Sequence, residues 1–208
     1  MSAEVAQVVS LLWSTGLLEE QLREAIARGE AERDSVNPFA PPGSPGYYAW
    51  SELVTALRQI LSPFGWTPSD EKNLSLVVSP CKEHALLVVA GDQHVGLGDP
   101  DLVPQPKRRR GEAAIFAVDE SQMTLFDART TRLIRTGPTI WFLLVYRVPG
   151  RDEVRAELSI PKSITETGFV SGWHYRHNLG TIEMGPTPVP HKDENNPTES
   201  TVEVKRKS

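Results

Sequence analysis

The chain has 208 residues, 39% of them hydrophobic and 24% charged, which is the composition of a globular protein of one domain with appendages, or one and a half domains. A formal net charge of -5 excludes a polycation that coats nucleic acid, so any such contact has to be local. The one cysteine, Cys81, excludes an internal disulfide framework and fits a reducing cytoplasm, while Met1-Ser2-Ala3-Glu4 lacks the basic start of a secretory signal and no apolar run approaches membrane-spanning length.

Val5, Val8, Val9, Leu12 and Trp13 recur at helical spacing and predict a helix over 3–14, capped by Ser2 and ended by Gly16. Leu18, Leu22, Ala25 and Ile26 mark a second amphipathic helix ending near Gly29. The pair has the outline of a helix-turn-helix. Its second helix, however, carries Glu19, Glu20 and Glu24 where a recognition helix would meet phosphates, so a helical hairpin over 1–34 that packs on a sheet or a partner is expected instead. Residues 35–48, with Pro38, Pro41, Pro42 and Pro45, read as a proline-rich linker. One further amphipathic helix follows, with Trp50, Leu53, Val54, Leu57, Ile60 and Leu61 on one face.

From Gly65 the pattern changes to strands. Residues 74–79 and 85–90 flank the turn Pro80-Cys81-Lys82-Glu83-His84 as a hairpin. Residues 113–118 read as a third strand. Residues 140–148 and 153–160 flank Pro149-Gly150-Arg151-Asp152 as a second hairpin. The expected fold is α+β, an antiparallel sheet of about five strands with helices on one face, occupying 49–181. Residues 182–208 have no apolar period and read as a disordered tail.

Several segments carry candidate chemistry. Loop 91–101 holds Asp92, Asp99, Asp101 and His94 among three glycines directly after a strand. Asp92 and His94, joined in space by His174 and His177, would suit a divalent metal; the alternative is a solvated loop whose acids cap turns. Lys107, Arg108, Arg109 and Arg110 are consecutive cations on a loop, able to grip phosphate without reading sequence. In Trp173-His174-Tyr175-Arg176-His177-Asn178 the aromatics interleave with cations, and Trp173 and Arg176 could stack on bases; the alternative is a closing segment that covers the sheet edge. The acid-then-Asp/Glu-x-Lys pattern of restriction-type nucleases is absent at Glu157-Leu158-Ser159, with Lys162 displaced. Cys81 stands on a turn beside Lys82 and His84, although sequence neighbours rarely form a nucleophilic dyad.

Gln122-Met123-Thr124-Leu125-Phe126 resembles the pentapeptide with which bacterial DNA polymerases, repair proteins and replication regulators dock on the sliding clamp. The resemblance covers five residues and implies a partner, with no fold or activity. Such a peptide binds extended, with Leu125 and Phe126 (and Met123 as spacer) entering an apolar pocket and Gln122 hydrogen-bonding at its rim. The polar flanks Asp119-Glu120-Ser121 and Asp127-Ala128-Arg129 suit a surface loop; the alternative is a short strand with Met123, Leu125 and Phe126 in the core. The resulting expectation is a cytoplasmic accessory or regulatory protein of DNA metabolism, with the sliding clamp and nucleic acid as partners, no membrane, and no cofactor beyond a divalent metal. It would recruit an activity to DNA or compete with polymerases for the clamp, as a phage or mobile-element protein could. The rival classes are a metal-dependent phosphodiesterase using Asp92, His94, Asp99 and His174 or His177, and a protein-interaction module presenting the Trp50 helix or the N-terminal hairpin.

Overall fold

The computed structural model describes residues 3–126 and 137–183, the side chains of 4, 120–126 and 183 excepted. Helices α1 (Ala3–Ser14), α2 (Glu19–Ser35) and α3 (Ser44–Leu61) come first. Strands β1 (Thr67–Ser69), β2 (Leu76–Val78) and β3 (His84–Ala90) follow, then α4 (Glu112–Phe126), β4 (Thr139–Arg147), β5 (Glu153–Pro161) and β6 (Trp173–Glu183). The strands form a six-stranded sheet in chain order, β1-β2-β3-β4-β5-β6. The fold is α+β, with one strand more than expected.

Strand alternation splits the apolar residues between two layers. Val77, Leu86, Val88, Trp141, Leu143, Val154, Leu158 and Leu179 face α1–α3. Leu76, Ala85, Leu87, Val89, Ile140, Phe142 and Leu144 face the opposite way, onto Val95 and onto Ala114 and Val118 of α4. Helices therefore lie on both faces, not on one. The N-terminal hairpin shares its apolar layer with α3 and the sheet, through Leu12, Leu22 and Ile26.

Two sequence expectations are overturned for a common reason. Residues 113–118 are helical, and β3 pairs with β4 in parallel, from His84↔Thr139 to Ala90↔Val145. A parallel pair needs a long crossover, and a helix laid on the sheet is the usual way to make one. Ala114 and Val118, one helical turn apart, are buried, while Phe116 between them is exposed, with the Lys72 ammonium 3.9 Å from its ring centroid. The expected strand at 113–118 and the expected surface loop from 119 are thus parts of one 15-residue helix up to Phe126.

Gly29 does not end α2. It lies inside the helix because α2 crosses α3 there: a Cβ at Gly29 would stand 2.7 Å from the Ala49 carbonyl oxygen and 2.9 Å from Leu53 Cβ. The helix start is held by Gln21, whose side chain accepts the Leu18 N–H at 2.9 Å. The proline-rich stretch ends earlier than expected, because Pro45 occupies the first turn of α3, where its missing N–H costs nothing. Of the proposed face of α3, Leu53, Val54, Leu57 and Leu61 are buried and Trp50 is exposed. The expected tail, 182–208, begins too early: Ile182 is buried and pairs with Val154 at the end of β6, and the residues from 184 onward lie outside the described ones. No helix among the described residues is long and apolar enough to cross a membrane.

Candidate functional site

The segment joining β3 to α4 carries Asp92, His94, Asp99 and the four cations Lys107 to Arg110, and β5 and β6 fasten it. At its centre is Glu157, fully buried on β5. Its carboxylate accepts from Arg176 Nη2 at 2.8 Å, Arg176 Nε at 3.1 Å, the Ser159 hydroxyl at 2.9 Å and the Gly96 N–H at 3.2 Å. Four donors satisfy both oxygens, which is what allows a carboxylate to stay in the interior. Arg176 then uses its Nη1 on the carbonyls of Leu102 (2.8 Å) and Asp99 (3.1 Å). Arg155 Nη2 donates to the Gln93 carbonyl at 3.1 Å, and Asn178 Nδ2 to the Gly96 carbonyl at 3.2 Å.

This geometry corrects the nucleic-acid set. Arg176 is committed to Glu157 and to the loop. Trp173 donates its indole N–H to the Pro104 carbonyl at 3.2 Å and packs edge-on to Phe142, centroids 6.0 Å apart. Both belong to β6, a strand the sequence disguises: its polar residues and two register irregularities against β5 break the alternation.

The proposed metal set is not brought together either. Asp92 and Asp99 cap turns: Asp92 Oδ1 accepts the His94 N–H at 3.0 Å and Asp99 Oδ1 the Asp101 N–H at 2.9 Å. His94 Nδ1 lies 3.4 Å from Asp92 Oδ2. His177 turns to the helical layer instead, its Nε2 2.7 Å from Glu19 Oε1 and its ring edge-on to Trp13 at 5.2 Å. Strand alternation thus sends His177 to the side away from the Asp92 loop. His174 is held below the ordinary histidine range, first by burial and second by the Lys162 cation. Among the described residues, no group of three metal-ligating side chains includes any of these five.

The basic loop survives as a surface feature. Lys107, Arg108 and Arg109 are exposed. The loop is pinned at both ends by backbone hydrogen bonds, Lys107 N–H to the Ala90 carbonyl at 2.8 Å and Arg110 N–H to the Gly168 carbonyl at 2.9 Å. Gly168, at φ 82°, lets that approach happen, since a Cβ there would stand 2.8 Å from the Arg110 carbonyl oxygen. Arg110 itself is half-buried, and burial, with Arg108 second, holds its guanidinium below the usual arginine range. Three of the four cations therefore face solvent, and α4 begins two residues beyond the last of the four. The backbone at 122–126 forms the end of α4, while the side chains of Gln122, Met123, Leu125 and Phe126 lie outside the described ones.

One cluster went unrecognised in the sequence as a metal-ligand set. Cys81, Glu83 and His84, on the turn between β2 and β3, bring one ligand atom each within 4.8 Å of one another. The available signal was the Cys-x-Glu-His spacing on a hairpin turn, which is not a recognised metal motif. Comparison of the chain with known protein families, with curated proteins and with solved structures found no match to any of them.

Proposed function

We propose that this chain is a non-enzymatic accessory or regulatory protein of DNA metabolism, contacting nucleic acid through Lys107, Arg108 and Arg109 and docking on a sliding clamp through Gln122–Phe126. The observation that carries the reading is the pinned basic loop, which leads directly into the helix that bears the pentapeptide. A helix of 15 residues is about 22 Å long, so the two elements occupy opposite ends of one rod. Phosphate contact at one end and clamp contact at the other would hold the protein on DNA at the fork, where it could recruit an activity or compete with polymerases. An extended bound peptide requires the last turns of α4 to unwind, and the Leu125 and Phe126 anchors have to exceed that cost.

The test is calorimetry of the full chain against a bacterial sliding clamp, beside a folded Gln122→Ala/Phe126→Ala variant. Micromolar binding that the variant loses is the expected result. Absence of binding by the wild type overturns the clamp half of the reading. The interaction-module reading is favoured by a different observation: Phe39, Tyr47, Tyr48 and Trp50 are all exposed around the start of α3, with Tyr47 6.1 Å from Trp50.

A further inference from the structure

The β2–β3 turn confines three different metal-ligating groups to four residues. Its geometry is fixed by short-range bonds. Ser79 N–H donates to the His84 carbonyl and Lys82 N–H to the Ser79 carbonyl, each at 2.9 Å. Thr139 N–H, from β4, donates to the Glu83 carbonyl at 2.8 Å. Lys82 sits in the left-handed region at φ 59°, which a lysine seldom adopts. Ser79 Oγ accepts the His84 N–H at 3.1 Å, and it lies 3.2 Å from Cys81 Sγ. Ligand atoms from Cys81, Glu83 and His84 converge as a result, with Cys81 exposed, Glu83 half-buried and His84 fully buried.

The donor set selects its ligand. A thiolate and an imidazole are poor partners for Mg²⁺ or Ca²⁺ and good ones for Zn²⁺ and its first-row neighbours. A divalent cation held here would displace the thiol proton and attract both the resulting thiolate and the carboxylate. Three protein ligands leave a tetrahedral ion one open position. Cys81 and Glu83 also line a cleft of about 360 Å³, together with Leu11, Ser14, Thr15 and Pro80, so the fourth position has room for water or a small anionic ligand. We propose that Cys81, Glu83 and His84 form a three-ligand site for a thiophilic divalent cation of the Zn²⁺ class, open to the cleft between the end of α1 and the β2–β3 turn.

Trp141 makes the site conditional. Its indole N–H, a donor only, lies 3.3 Å from His84 Nδ1. Whichever ring nitrogen takes the ion, the other must carry the proton, so Nδ1 can no longer accept from the indole. Ion binding therefore breaks the Trp141 bond, and the site is coupled to the core beneath it.

The experiment is a Co²⁺ titration of the metal-stripped full chain, read by the near-ultraviolet thiolate-to-cobalt band, followed by displacement with Zn²⁺. One ion per chain is expected, with the band abolished in Cys81→Ser and affinity reduced at least about tenfold in Glu83→Gln, both at surface-accessible positions that leave the core intact. Trp141→Phe removes the competing donor and should tighten binding by about 2- to 10-fold. No thiolate band in the wild type, a band that persists in Cys81→Ser, or unchanged affinity in Glu83→Gln would each overturn the proposal.

Discussion

Glu157 and Arg176 meet across β5 and β6 in a two-point ion pair, with the carboxylate 1% and the guanidinium side chain 20% exposed. The pair does more than join two strands. Arg176 also binds the carbonyls of Asp99 and Leu102, so one side chain connects a buried charge to the segment that leads into the basic loop.

Removing only the cation leaves that carboxylate buried and under-paired. Arg176→Met should cost about 3 kcal/mol, the low end for a broken buried pair because Arg176 keeps some solvent contact. The double variant Glu157→Gln/Arg176→Met should cost less than the sum of the single changes. Urea denaturation measures both, and amide exchange should show residues 96–102 losing protection in Arg176→Met. Additive costs would mean the two residues act independently.

Gly29→Ala tests the α2–α3 crossing. Helix propensity alone favours alanine by about 1 kcal/mol. Contact at 2.7 Å with the Ala49 carbonyl oxygen, a backbone atom that cannot swing aside, should reverse the sign. A net loss of about 1–3 kcal/mol is expected from overpacking, visible as a lower thermal midpoint. A stabilised variant would show that the helices can separate at no cost.

Lys107→Ala/Arg108→Ala/Arg109→Ala addresses the proposed nucleic-acid contact. The affinity of the wild type for a duplex or single-stranded oligonucleotide should fall steeply with salt. The triple variant should bind more weakly and lose about 2–3 from the magnitude of the log–log salt slope, at roughly 0.9 per duplex phosphate contact. An unchanged slope would remove the loop from the interface.

His174 supplies a pH dependence with a definite sign. Its folded value is depressed below 6.5, so on acidification the unfolded chain takes up the proton first. Stability from this group is complete above 6.5 and is lost as pH falls through the lower, folded value. Denaturation midpoints measured from neutral to mildly acidic pH should decline in the wild type and decline less in His174→Asn. An identical decline in both would assign the acid sensitivity to other groups.

What the sequence determined by itself was everything that depends on near neighbours. The periodicity of α1 and α3, and the turn residues between β2 and β3 and between β4 and β5, act over a few positions and are legible there. The parallel pairing of β3 with β4 depends on residues 55 apart, such as His84 and Thr139, and no local pattern encodes it. That pairing made residues 113–118 a crossover helix, although their apolar run suited a strand equally well. Gly29 reads as a stop signal until α3 is seen to lie against it. The candidate sites divide in the same way. Lys107, Arg108 and Arg109 are exposed, as consecutive charges on a loop usually are, so a charged surface was readable there, while the half-burial of Arg110 against Gly168 was not. Arg176 and Trp173 have the same chemistry in the sequence as a nucleic-acid platform, and only the fold shows that Glu157, Pro104 and Phe142 occupy them. Cys81, Glu83 and His84 were always adjacent. Their convergence depends on the left-handed turn at Lys82, which local bonds shape, and on β4, whose Thr139 N–H holds the Glu83 carbonyl and which no local pattern announces.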